Sequence, residues 1–192
     1  MTPVLHLASA SPRRAELLRA LGLQFSQGGA DLDERRLPDE APADMVLRLA
    51  AEKARAIEHE GVILAADTAV VLGDRVFGKP DDEDHAVSML GALSAQTHTV
   101  MTGVAARRGD SLHTALSATK VRFREIAESE MHRYWQTGEP ADKAGAYAVQ
   151  GLGGLFVESL EGSYSGVVGL PVFETAGLLR QVGIDVLQDY HG

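Results

Sequence analysis

Apolar and polar positions alternate in two rhythms along the chain, one of strands and one of helices. Val4 to Ala8 is a short apolar run, and a helix is expected from Pro12 to Leu21, with Ser11 placed to cap it, Pro12 suited to its first turn and Gly22 ending it. Gly28 to Ala41 is polar and acidic and reads as a surface loop. A second helix is expected from Pro42 to about Glu60, because Val46, Leu49, Ala50, Ala54 and Ile57 fall in helical register, with Lys53 on the same inner stripe. Val62 to Leu72 is almost unbroken in its apolarity and predicts a central strand buried on both faces, interrupted only by Asp67 and Thr68.

Gly73 and Asp74 predict a tight turn into a short strand through Phe77, and Asp81 to Leu93 a third helix. Thr97 to Ala106 and Leu112 to Arg124 read as paired strands joined near Gly109-Asp110. Helices are expected over Glu128 to Gln136 and from Pro171 to about Val182, with a glycine-rich stretch from Gly145 to Val157 between them. Strands alternating with helices make this an α/β chain. Its 192 residues, without repeat or linker, predict a single domain over 1–192 or two closely joined lobes.

Composition narrows the function classes. The apolar and charged fractions, 45% and 23%, are those of a globular protein. The absence of cysteine removes thiol nucleophiles, disulfides and zinc thiolate sites, so any metal must take oxygen or histidine ligands. A formal net charge of −9 argues against a basic nucleic-acid-binding face. Met1 to Ser9 lacks the basic start and long apolar run of a secretory signal, and no stretch approaches the length a membrane helix needs, so the expectation is a cytoplasmic protein with neither nucleic-acid nor membrane partners.

The candidate chemistry begins at Ser9-Ala10-Ser11-Pro12-Arg13-Arg14. A helix N-terminus presents unpaired backbone N–H groups and positive partial charge, and two hydroxyls and two guanidiniums are added there. The combination suits a polyphosphate, although a capped helix with two surface arginines would read the same way. Asp67 is the second signal: a carboxylate inside an apolar strand requires a cation, a metal or several donors, unless the strand stops at Ala66 and Asp67 caps a turn. Lys53 on its buried stripe and Lys79 in the Gly78-Lys79-Pro80 frame are the available cations; each also has an ordinary reading, as a snorkelling or a turn lysine. Gln150 offers an amide that could read the edge of a base. The spacing from Gly73 to Lys79 imitates a phosphate-binding loop, but Pro80 supplies no hydroxyl and disfavours a helix beginning at the lysine. Gly151 to Gly154 lacks the full dinucleotide fingerprint.

In order and spacing, Ser9 to Arg14, Asp33-Glu34, Glu52-Lys53-Ala54, Ala66-Asp67-Thr68, Gly78-Lys79-Pro80, Gly145 through Gln150 to Gly151, and Val168 to Pro171 resemble the Maf nucleotide pyrophosphatases. The resemblance implies an elongated mixed sheet flanked by helices, with two lobes and a central cleft, similar to the inosine triphosphate pyrophosphatases. It implies hydrolysis between the α and β phosphates of a nucleoside triphosphate, with a divalent cation, Mg2+ or Mn2+, as cofactor. Asp67 matches the family's catalytic acid; Ser9, Arg13, Arg14, Lys53 and Lys79 match its phosphate-binding residues; Glu34 and Asp67 match its metal-holding acids.

Arg13, Thr68 and Gln150 match the branch acting on dTTP and UTP, whereas the branch acting on 7-methyl-GTP carries an acid at the position of this glutamine. Gly78, where some relatives have an acid, leaves a metal ligand at that position open. Two other functions stay in view: a pyrophosphatase for noncanonical purine triphosphates, and a nucleotide-binding regulator of septum formation with little turnover. A homodimer is also left open.

Overall fold

The computed structural model describes residues 4–29 and 31–188; Met1 to Pro3, at the start of the stretch read as carrying no signal, and Ala30 of the acidic loop lie outside them. Seven strands form one mixed sheet, built from β1 (Leu5–Leu7), β2 (Phe25–Gln27), β3 (Val62–Leu72), β4 (Arg75–Phe77), β5 (Thr97–Arg108), β6 (Ser111–Phe123) and β7 (Val157–Glu161). The order is β2-β1-β3-β5-β6-β7, with β4 attached to β3. The β1 strand pairs parallel with β2 and β3, with Leu5 opposite Phe25 and Val62, whereas β3–β4 and β6–β7 are antiparallel. Among the described residues six α-helices accompany the sheet: α1 (Pro12–Ala20), α2 (Pro42–Ala56), α3 (Glu83–Leu93), α4 (Glu128–Trp135), α5 (Tyr164–Val168) and α6 (Val172–Gln181). Among the described residues no helix is long and apolar enough to cross a membrane.

The chain divides into two compact units. The first comprises residues 1–67, 102–117 and 169–192, and the second residues 68–101 and 118–168. The core of the first joins Leu5 and Leu7 of β1, Ala15 and Leu18 of α1, Val62 and Leu64 of β3, Val104 of β5, and Leu178 and Leu179 of α6. A smaller cluster packs Ala50 and Ala54 of α2 against Ile63, Ala65 and Ala105. Small residues here let the α2 backbone approach the sheet: a Cβ added to Gly103 would lie 2.3 Å from the Val46 carbonyl oxygen. The second unit has its own core around Phe77, Leu90, Leu93, Val121, Phe123, Tyr134, Tyr147 and Phe156.

Most elements stand where the apolar rhythm puts them, with differences that have local causes. The α2 helix stops at Ala56 rather than near Glu60, because Ile57 turns extended and Arg107 of β5 donates from Nε to the Ala54 carbonyl at 2.9 Å and from Nη2 to the Ile57 carbonyl at 2.6 Å. Helix α3 begins at Glu83 instead of Asp81, since the Asp82 side chain accepts the His85 N–H and so caps it. Pro171 precedes α6 rather than opening it. Three short elements had no sequence signal of their own, β2, β7 and α5, and the glycine-rich stretch winds through two 3-10 turns, Ala144–Ala146 and Leu152–Phe156. The imitation phosphate loop is divided by β4, and no helix begins at Lys79.

His98 is buried in the second unit, where it hydrogen-bonds Tyr147 Oη at 2.8 Å and meets the Phe123 ring edge-on. Burial pushes its pKa down to about 4. A histidine whose folded pKa lies below its unfolded value favours folding while neutral, so that contribution is full above pH 6.5 and declines as pH falls to about 4. Urea unfolding across that window is expected to show a decline on the order of a few kcal/mol. His98→Gln, which does not titrate, should flatten the decline.

Candidate active site

The polyphosphate candidate is built where β1 leads into α1. Ala8 N–H donates to the Leu64 carbonyl at 2.8 Å and Ser9 N–H to the Leu7 carbonyl at 2.9 Å, so the turn is tied to the sheet before the helix begins. Ser11 occupies the N-cap position, but its side chain makes no capping bond. The expected Ser11 cap is therefore not made; Ser9, two residues earlier, uses its hydroxyl to accept the Ser11 N–H and an Arg14 Nη1–H, each at 3.2 Å, which closes the turn before the helix and steadies the guanidinium. Gln27 of β2 steadies the same turn by donating from Nε2 to the Ser9 carbonyl at 2.9 Å.

Arg14 is fixed from the far end of the chain, with Nε donating to the Gly169 carbonyl at 2.8 Å. Burial lowers its pKa; Asp67 opposes the fall, Arg13 adds to it and Glu34 opposes it. An arginine remains a cation under such pressure, so this corner holds a permanent positive charge within electrostatic reach of two carboxylates. Arg13, beside it on the first turn, is half-buried.

Asp67 is not a turn cap: β3 continues to Leu72, and the residue is 7% exposed. Its partner is Lys53, whose ammonium donates to Asp67 Oδ1 at 2.7 Å and also meets Glu34 Oε1 at 2.7 Å. Lys53 itself is 8% exposed, so it does not snorkel. Two acids distant in sequence thus converge on one buried ammonium, and both are the ones that the family resemblance implied as metal-holding. Carboxylate oxygens have the hardness that suits a divalent cation such as Mg2+ or Mn2+. Among the described residues no group of three or more histidines or acids gathers to hold a metal.

Sequence reasoning gave no role to Arg48 or Glu40, which hold the loop carrying Glu34. Arg48 on α2 grips the Glu40 carboxylate with two hydrogen bonds, Nε to Oε1 at 2.6 Å and Nη2 to Oε2 at 2.9 Å. It also donates to Glu52 Oε2 at 3.1 Å and to the Arg35 carbonyl at 3.2 Å. Glu40 Oε2 accepts the Leu37 N–H at 3.0 Å, which closes the loop on itself. The only sequence signal for this clamp is an arginine on the helix that also carries Lys53; nothing marks which of the loop's acids it would choose.

Thr68, Lys79 and Gln150 belong to the second unit. Thr68 is half-buried on β3, while Lys79 and Gln150 are exposed. The Lys79 and Gln150 segments are tied together through backbone, because Gly145 N–H donates to the Gly78 carbonyl at 3.0 Å. Gly145 adopts φ +69°, and a Cβ there would press on the Val70 side chain at 3.1 Å, so glycine suits the position on both counts.

Comparison with known proteins bears on the whole chain. Residues 4–182 match the family model described as Maf-like protein. A protein of Hahella chejuensis named dTTP/UTP pyrophosphatase is 50% identical over 95% of this chain and 94% of its own length. One of Anaeromyxobacter dehalogenans (strain 2CP-C) with the same name is 56% identical over 95% and 96%. A third of that name, from Methylococcus capsulatus, is 50% identical over 93% and 90%.

Arg48→Ala is expected to accelerate amide exchange at Leu37 and Glu40 several-fold. The hydrogen bonds from Arg48 lower the Glu40 pKa to about 2 against an ordinary 4.5, so the clamp is intact above about pH 4.5 and is lost as pH falls toward about 2. Exchange in the wild-type loop, corrected for its intrinsic pH dependence, should accelerate only in that acid window, and in Arg48→Ala it should be fast throughout.

Proposed function

The chain belongs to the Maf-like protein family, and on that premise we propose that it hydrolyses nucleoside triphosphates, chiefly dTTP and UTP, to the monophosphate and pyrophosphate. The observation that supports this reading most is the Lys53 ammonium bridging Glu34 and Asp67 in the same unit as Ser9, Arg13 and Arg14. The names of the relatives supply the substrate class.

In this reading Arg13, Arg14 and the first-turn N–H groups of α1 bind the polyphosphate, with the Ser9 hydroxyl keeping Arg14 aimed. Lys79 adds a further cation to the phosphates. Charge on the departing pyrophosphate is stabilised by these fixed donors without reorganisation at the moment of bond cleavage. Asp67 accepts a proton from the attacking water or helps hold a divalent ion, a task it shares with Glu34. When bound, Mg2+ or Mn2+ would supply Lewis-acid polarisation of the phosphoryl oxygens.

Lys53 keeps the two acids together and contributes positive charge toward phosphate. Arg13, Thr68 and Gln150 set substrate choice. The glutamine amide can pair with the carbonyl and ring N–H of a pyrimidine.

Pyrophosphate release from a panel of triphosphates, with Mg2+, Mn2+ or chelator, tests the assignment. The expected result is release mainly from dTTP and UTP, abolished by chelator. Asp67→Asn should lower turnover by about 100-fold or more, the usual scale for losing a positioned acid–base group, and because Lys53 keeps Glu34 as a partner the variant should remain folded. Near-normal turnover in Asp67→Asn would overturn its role, and nucleotide binding without release from any triphosphate would favour the septum-regulator alternative.

A further inference from the structure

The glycine-rich stretch around Gln150 is held by two residues that the substrate assignment does not use. Glu139 lies in a 3-10 turn just after α4, and Tyr134 lies in α4 itself. Tyr134 Oη donates to Glu139 Oε1 at 2.6 Å and accepts the Ala148 N–H at 3.1 Å. The Glu139 carboxylate then takes two more backbone donors, Gly153 N–H on Oε1 and Leu152 N–H on Oε2, both at 3.0 Å. The bonded amides lie on both sides of Gln150: Ala148 two residues before it, Leu152 and Gly153 just after.

Two glycines make the grip close enough to work. A Cβ on Gly151 would fall 2.1 Å from Glu139 Oε2, and one on Gly153 would fall 2.6 Å from Tyr134 Oη. The glycines read in the sequence as an incomplete dinucleotide fingerprint are thus spent on admitting a carboxylate and a phenol to the backbone. Burial works against the Glu139 charge, but the bonds from Tyr134, Gly153 and Leu152 prevail and its pKa falls below the ordinary value, so the anion persists at neutral pH. Tyr134 stays protonated, raised by burial and by its bond to Glu139, and so remains a donor.

We propose that Tyr134 and Glu139 are positioning residues for substrate recognition: together they fix the backbone from Ala148 to Gly153 and thereby set the discrimination of this loop between pyrimidine and purine triphosphates. The inference rests on the reading of this loop as the base-recognising segment. It assigns neither residue to the chemical step. Loss of either should reduce selection for dTTP while turnover at saturating dTTP changes little, since the phosphate-binding residues of the first unit are untouched.

The experiment compares Tyr134→Phe, Glu139→Gln and Gln150→Ala with the wild type by kcat and KM for dTTP and dGTP, alongside amide exchange at Ala148, Leu152 and Gly153. Phenylalanine keeps the ring packed on Phe156, with centroids 5.1 Å apart, and removes only the hydroxyl. Glutamine keeps the shape of Glu139 but places an NH2 against donors. In both variants the kcat/KM ratio of dTTP to dGTP is expected to fall about tenfold, the equivalent of one hydrogen bond's net worth, chiefly through KM, with faster exchange at the three amides.

If Gln150→Ala lowers the ratio and both latch variants leave it unchanged, the positioning role is overturned while the base-reading role of Gln150 stands. If the latch variants lower it and Gln150→Ala does not, positioning is upheld and the loop reads the base through other atoms. An unchanged ratio in all three overturns both. A fall in kcat alone, equal for both nucleotides, would also overturn the inference. Should Tyr134→Phe melt below the assay temperature, Glu139→Gln decides by the same ratios.

Discussion

A single ammonium group organises the first unit. Lys53 Nζ stands 2.7 Å from Glu34 Oε1 and 2.7 Å from Asp67 Oδ1, and it is buried with the second of these. An unpaired charge in such surroundings is strongly disfavoured, with removal of one member of a buried pair costing ~3–5 kcal/mol. Helix α2, strand β3 and the acidic loop therefore have to be placed consistently with one another. Much of the nearby architecture serves that requirement: Gly103 lets the α2 backbone approach β5, Arg107 ends the helix by taking its last carbonyls, and Arg48 draws in the loop that brings Glu34. The same two carboxylates that hold the ammonium are the ones proposed above to hold a divalent ion, whose preference for oxygen donors they meet.

The two units solve the problem of an exact polar arrangement by similar means. In the first, a guanidinium on a helix grips a loop through the Glu40 carboxylate and the Arg35 carbonyl. In the second, the carboxylate of Glu139 grips a loop through backbone N–H groups and a phenol. Each grip lies outside the residues that would touch substrate. Each uses charge-assisted bonds, which are shorter and stronger than those between neutral groups, to restrict the path of a loop.

Periodicity made the long elements legible because burial on one face or on both leaves a regular apolar mark: β3 was read to its end residues, and Lys53 was placed on the inner stripe of α2. Asp67 was legible for the opposite reason, as a charge inside that apolar run. What periodicity could not supply were elements of three to five residues such as β2, β7 and α5, where too few positions exist for a rhythm to emerge. The missing Ser11 cap was not legible because the sequence puts a suitable hydroxyl at the N-cap position and only the path of the backbone decides whether it reaches a helix N–H. Partners such as Arg48–Glu40, Tyr134–Glu139 and Arg14–Gly169 depend on tertiary proximity, which one sequence does not encode as spacing.

The last of these pairs bears on the order in which the protein can be made. The first unit takes β1 and α1 from the start of the chain but draws Gly169, Leu170 and helix α6 from its end. Arg14 reaches its carbonyl partner across 155 residues, a separation whose closure entropy must be met before the contact forms. During synthesis Arg14 therefore emerges long before the carbonyl that fixes it. A change in the segment from Gly169 to helix α6 would therefore be felt at the first helix, through the Gly169 carbonyl that fixes Arg14 and through Leu178 and Leu179 in the shared core.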